Sequence, residues 1–350
     1  MKTFFSPAVK GAALLLTLCV GQAVQARVIV QEHSGPGRGE IAWSSESQAR
    51  QLMSDESDYD EDDVDLRTLP KRGPAIPAST SLVERVRTTS NVLASSTIQR
   101  MQEALNLSAN AAFVMDGVTG DVLYGKQSDE VRSIASITKL MTAMVTIDAR
   151  LDMAENITLV PSDFVGPKRA SSRLKVGDTM NRAEVLLMAL MKSENPAAKS
   201  LARTYPGGYD VFMQAMNSKA KALGMHTAFF GDPTGLDQRN VASARDLARM
   251  VASAYDYGVI RQFSTQQAYD FNLGNRVLKA RNTNALVRNG EWDIGLSKTG
   301  FINEAGRCVV MQARVNQHPA VIVLMGARSS QSRSGDATQI LSWLQDRFSR

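Results

Sequence analysis

Strand-like patterns stand at both ends of the folded part of this chain, and helical patterns fill the space between them. Ala111 to Asp116 and Val122 to Lys126 read as two strands joined through Gly117-Val118-Thr119-Gly120, a connection suited to a hairpin. Arg307 to Val315 and Pro319 to Ala327 read as a second hairpin, and a segment around Lys298 adds a fifth strand. Between the hairpins, residues 136–149, 182–192, 196–204, 208–223 and 243–256 read as helices, and Ala337 to Phe348 reads as a last one. Strands gathered at the ends with helices in the middle predict an α+β fold, not an alternating α/β one. The expectation is a five-stranded antiparallel sheet flanked by helices, with a helical subdomain.

About 255 residues take part in this pattern, enough for one large domain with a real core. Residues before it differ. Lys2 and Lys10 flank the front of the chain, Gly11 to Val20 form an apolar core, and Val24-Gln25-Ala26 suits cleavage before Arg27. Residues 1–26 therefore read as a secretory signal peptide. Cys19 follows Leu18, where a lipidated signal wants a small residue, so lipidation is not expected. Cleavage leaves Cys308 as the only cysteine, which excludes an internal disulfide and fits a buried, inert thiol. Residues 27–94 form an acidic extension rich in Ser, Gly and Pro, expected to be disordered, with its densest charge from Asp55 to Asp65. Arg27 to Arg87 hold 8 basic and 12 acidic residues, against 30 and 23 in residues 88–350. The extension reads either as a solvated spacer or as a tether to the basic domain or a partner. Residues 95–350 are expected to form the folded domain. Its positive balance suits an anionic polymer, while no basic–aromatic pattern points to nucleic acid. His33, His226 and His318 are scattered without ligand spacing, so no metal or cofactor is expected. No later segment reads as transmembrane, which makes the product soluble or peripheral, with nothing to indicate membrane association.

Three short strings carry chemistry: Ser136-Ile137-Thr138-Lys139, Ser193-Glu194-Asn195 and Lys298-Thr299-Gly300. A serine hydroxyl is a weak nucleophile near neutrality and needs a base within hydrogen-bond reach. Lys139 lies three residues after Ser136, on the same face if both are helical. The apolar run Leu140 to Val145 implies a buried helix, and burial lowers a lysine until its neutral form can take a proton. Ser193 and Asn195 follow another apolar helix, and Pro196 is suited to the first turn of the next one. Asn195 can then bond Lys139 or a substrate backbone, and Ser193 can pass a proton to a leaving amine. Lys298 and Thr299 point to opposite faces of a flat strand, so both serve one site only through a twist or through backbone geometry. Gly300 is expected to let a substrate backbone approach.

In this order the strings resemble the active site of the serine penicillin-binding protein and β-lactamase superfamily. Ile134 to Ala143, Tyr205-Pro206-Gly207-Gly208-Tyr209, Asp232-Pro233-Thr234-Gly235-Leu236 and Lys298-Thr299-Gly300-Phe301 narrow the similarity to the low-molecular-mass D-alanyl-D-alanine peptidases. Within these, the chain looks most like the endopeptidase type often called penicillin-binding protein 7, over residues 95 to 350. The resemblance implies a periplasmic serine peptidase that cuts D-Ala–diaminopimelate cross-links of peptidoglycan and is blocked covalently by β-lactams. It implies Ser136 as the acylated nucleophile, Lys139 as its base, and Ser193 with Lys298 on the leaving-group side. Asn195 orients substrate and Thr299 contacts its carboxylate. The backbone N–H groups of Ser136 and Phe301 form the oxyanion hole. Arg328 falls where carboxypeptidases of this family bind a terminal D-Ala carboxylate. Two alternatives stay open: a carboxypeptidase, and a non-catalytic wall-binding protein. Class A β-lactamases deacylate with a separate glutamate. No Glu occurs between Pro196 and Gly290, so a β-lactam is expected to stay on Ser136.

Overall fold

The computed structural model describes residues 105–274 and 276–349; the expected signal peptide and acidic extension lie outside the described residues. In chain order the elements are β1 (Ala111–Asp116), β2 (Val122–Lys126), β3 (Arg132–Ser133), a 3-10 turn (Ala135–Ile137), α1 (Thr138–Asp148), β4 (Asn156–Thr158) and β5 (Thr179–Asn181). Then come α2 (Arg182–Leu187), a π turn (Met188–Lys192), α3 (Asn195–Arg203), α4 (Gly208–Ala222), β6 (Val241–Ala242), α5 (Ala244–Tyr255), α6 (Gly258–Ser264), β7 (Ala268–Asn272) and β8 (Val277–Arg281). The chain ends with α7 (Ala285–Asn289), β9 (Asp293–Ile302), β10 (Gly306–Val315), β11 (His318–Ala327) and α8 (Ser330–Phe348).

Five strands form one antiparallel sheet in the order β2-β1-β11-β10-β9, as the hairpin pattern predicts. The chemistry of the turns sets the register. Asp116 Oδ1 accepts from Val118 N at 2.7 Å and Thr119 N at 2.9 Å, and Gly120 takes φ +76°, closing the first hairpin. Asn316 and Gln317 close the second with φ 50° and 66°, the left-handed pair that a two-residue hairpin of this twist requires. One face of the sheet packs against α8: Ile340, Leu341 and Leu344 meet Val309, Met311, Ile322 and Leu324 in a single apolar cluster. The other face meets α5 and α6. Helix α8 begins at Ser330, earlier than the expected Ala337. The polar stretch before Ala337 hides it, yet Ser329 Oγ caps it by accepting from Ser332 N at 3.0 Å.

Helix α1 decides where chemistry can occur. All residues from Thr138 to Thr146 are buried, so the helix runs through the interior instead of lying on it. Strand β9 is the exposed edge of the sheet and passes beside the 3-10 turn that leads into α1. Helices α6 and α7, and the β4–β5 and β7–β8 pairs, are too short for periodicity to reveal them and were not expected from sequence.

Candidate active site

Ser136 does not open the α-helix, as its spacing from Lys139 predicted. It sits in the 3-10 turn immediately before α1. The turn starts from Ala135 at φ 47°, a left-handed conformation that costs a non-glycine residue energy and that surrounding contacts must hold. Those contacts come from a distant loop. Gly235 (φ +86°) lies against the turn so closely that a Cβ on it would stand 1.9 Å from Ala135 O. Thr138 Oγ1 donates to Ala135 O at 2.8 Å, and Asn240 Nδ2 donates to Thr138 Oγ1 at 2.8 Å and to Asp232 O at 2.8 Å. Asn240 Oδ1 accepts from Gly231 N at 3.0 Å and Asp232 N at 3.1 Å, so this fully buried amide is satisfied on both sides.

Lys139 is fully buried at the start of α1. Its Nζ lies 2.9 Å from Ser136 Oγ, 2.7 Å from Asn195 Oδ1 and 2.8 Å from Thr234 O. The last two oxygens only accept. A neutral amine has two N–H bonds and one lone pair. In the neutral form, with both N–H groups committed to Asn195 and Thr234, the lone pair would face the Ser136 hydroxyl. Burial is the largest influence on this lysine and favours the neutral form; Asp232 and Glu194 pull the other way, leaving it at about 7 instead of about 10.5.

The opposite wall repeats the pair. Helix α2 does not continue to residue 192 as one α-helix; its last turn is π-helical and ends at Ser193 in the left-handed region, φ 67°. That break turns Ser193 into the cleft, and Pro196 then starts α3 in its first turn as expected. Lys298 Nζ, from β9, donates to Ser193 Oγ at 2.8 Å and to Thr299 O at 3.0 Å. Burial, with Lys139 and Arg333 nearby, holds Lys298 well below the ordinary lysine range. Lys298 thus bonds Ser193, not Ser136.

The remaining expected residues fall into place unevenly. Thr299 is buried with its hydroxyl donating to Thr283 Oγ1 at 2.7 Å. Gly300 has a close neighbour within the protein as well. A Cβ there would stand 3.1 Å from Ile134 O and Ser136 N, so the missing side chain admits the serine turn against β9. Phe301 follows, 45% exposed at the rim, with the Arg307 guanidinium 3.8 Å from its ring centroid. Arg328 is exposed one residue beyond β11 and is not part of the bonded cluster. Cys308, paired with Gly300 in the sheet, is buried, and burial pushes its thiol up to about 11. Sequence reasoning missed the roles of Asp232, Thr234, Gly235 and Asn240. The compact Asp-Pro-Thr-Gly turn was the visible signal, but nothing local said which helix it would brace. Among the described residues no group of His, Cys, Asp and Glu could hold a metal ion, and no helix is long and apolar enough to cross a membrane.

Comparison with known proteins gives consistent results. Residues 97–329 match the sequence profile of the family described as D-alanyl-D-alanine carboxypeptidase. The chain is 44% identical over 241 residues to a D-alanyl-D-alanine endopeptidase of Pseudomonas aeruginosa, covering 68% of this chain and 78% of the relative. It is 42% identical over 241 residues to the D-alanyl-D-alanine endopeptidase of Escherichia coli, with the same coverage. Among solved structures, the Streptomyces K15 DD-transpeptidase superposes with a TM-score of 0.63 at 27% identity, over 68% of this chain and 97% of that one.

Proposed function

The chain belongs to the D-alanyl-D-alanine carboxypeptidase family of serine DD-peptidases, and from that premise we propose that it is a DD-endopeptidase of the bacterial cell wall. Its substrate is a peptidoglycan cross-link, cut between D-Ala and the diaminopimelate of the neighbouring strand. The reading rests on one observation: Lys139 Nζ stands 2.9 Å from Ser136 Oγ while two oxygens that only accept, Asn195 Oδ1 and Thr234 O, engage it on its other sides.

Ser136 Oγ attacks the D-Ala carbonyl carbon while Lys139 Nζ takes the hydroxyl proton. Negative charge gathers on the carbonyl oxygen, which the N–H groups of Ser136 and Phe301 stabilise. Collapse breaks the C–N bond. Ser193, held by Lys298 Nζ, gives its proton to the leaving amine and is reprotonated by the proton that Lys139 took from Ser136, which leaves Lys139 neutral again to take a proton from water. Asn195 Oδ1 is held by Lys139, which leaves Nδ2 for a substrate carbonyl. Thr299 and Lys298 face the anionic end of the substrate. Water then hydrolyses the ester on Ser136. A β-lactam enters by the same attack, and its opened ring keeps the leaving group tethered, so the ester persists. The signal-like N-terminus supports a periplasmic setting for this chemistry, in the service of wall remodelling and cell shape.

Exposed Arg328 favours a second reading, removal of a terminal D-Ala whose carboxylate the arginine would meet. Digestion of purified cross-linked muropeptides, with products weighed by mass spectrometry, decides. Monomers with D-Ala retained on the acyl side support the endopeptidase; loss of a single alanine with cross-links intact refutes it. A protein that fluorescent penicillin never labels is neither enzyme.

A further inference from the structure

Glu194 lies between Ser193 and Asn195 and takes no part in the steps above. Yet its carboxylate is buried, 7% exposed, and burial pushes it above the ordinary carboxylate range. A carboxyl group is expensive to bury unless it is bonded. Its partners all come from one segment, residues 165–174. Ser172 Oγ donates to Glu194 Oε2 at 2.6 Å, and Arg173 N donates to Oε1 at 3.4 Å. The Ser172 oxygen itself accepts from Leu174 N at 3.1 Å, which directs its proton toward Glu194.

This segment also touches the other walls of the cleft. Lys199 of α3 donates to Val165 O, and Gly166 lies against Leu236, next to the loop that braces the serine turn. Lys168 pairs with Glu304, in the turn that follows β9. At the far end, Arg276 Nη2 donates to Arg173 O at 2.8 Å, and Arg173 Nη1 reaches Lys279 O at 3.2 Å on β8. A strap therefore runs from the Gly235 loop and the end of β9 to the Ser193 turn.

We propose that Glu194 is a positioning residue that locks this strap to the turn presenting Ser193 and Asn195, so that the catalytic pair is in place only when the strap is seated. The turn needs such a lock, because Ser193 holds a left-handed conformation and the Glu194 side chain does not cap α3. The inference rests on the acyl-enzyme reading of Ser136. The charges that bear on this corner are Lys192 on the π turn, Lys139 on α1 with Asp232 and Lys298 around it, and Glu194 itself.

The test is the acylation rate of the full chain by a fluorescent penicillin, followed in single turnover across the pH range in which Lys139 titrates. E194A is expected to slow acylation by about tenfold or more, and S172A by about threefold, the scale of a lost buried hydrogen bond to a charge. The double variant should be no slower than E194A, since both act through one contact. E194Q, which still accepts from Ser172, should recover part of the loss. It should also move the pH midpoint toward acid, because a negative charge near Lys139 is gone, while S172A leaves the midpoint in place. Equal rates for E194A and the parent, additive losses, or E194Q as slow as E194A would overturn the proposal. If E194A fails to fold, S172A decides: a rate matching the parent ends the proposal. An unlabelled parent overturns the acyl-enzyme reading itself, whereas a labelled parent with indifferent variants overturns only the lock.

Discussion

On one wall of the cleft Lys139 holds Ser136; on the other, Lys298 holds Ser193 at nearly the same distance. Both lysines are buried in the same degree, and both serines are half-exposed. Their surroundings differ. Lys139 has Asp232 and Glu194 near it, which draw it back to about 7, whereas Lys298 has Lys139 and Arg333 near it, which push it further down. Two like charges so placed are disfavoured together. One residue pair, used twice, thus acquires two characters from neighbouring charge alone. The first is poised to exchange a proton near neutrality. The second is held further toward its neutral form.

The strongest way to break the comparison is to remove each serine. Ser136→Ala should abolish covalent labelling by penicillin, a loss on the order of 10³-fold or more, while Ser193→Ala should slow labelling by about 10²-fold yet leave the adduct detectable by mass. Equal losses would mean that the two pairs are not distinct in role. Next comes the bracing loop. Gly235→Ala forces a Cβ to 1.9 Å from Ala135 O at a left-handed φ, so the first wall should lose both stability and acylation. A denaturant midpoint like the parent's would contradict that packing.

The pH dependence sharpens the contrast further. Lys139 works as the neutral amine. Acylation should therefore rise with pH through a midpoint of about 7 and fall roughly tenfold per unit below it. A rate flat across that range would show that Lys139 is not the titrating base. The smallest expected effect belongs to Gly300→Ala. Its Cβ meets Ile134 O and Ser136 N at 3.1 Å, contacts that a shift of a few tenths of an ångström relieves. Acylation should drop by about tenfold or less with stability nearly kept, as misplacement of a nucleophile predicts.

Much of this architecture was legible in advance because it is local. The sheet strands carry their alternation and turn residues with them, so β1 and β2 lie at the expected bounds and β10 and β11 begin within one residue of them. Ser136 and Lys139 are close by spacing alone. The π turn before Ser193 was not legible. It replaces the end of an ordinary-looking apolar helix, and the register change comes from packing, not from any residue with a preference for it. The serine turn as a neighbour of Gly300 was not legible for a similar reason: a glycine announces a close approach without naming what approaches.

Sequence alone determined the residue types, the order of the motifs, the hairpins and the burial of the helix behind Ser136, since these follow from side-chain chemistry and short-range periodicity. Only the tertiary structure decided that Asn195 and Thr234, 56 and 95 residues away, would occupy both N–H groups of Lys139, and that Gly235 would brace its serine. A hydrogen bond is directional over about 3 Å. No local pattern states which distant oxygen will arrive at that distance, so the aim of the lone pair exists only once the chain has closed on itself.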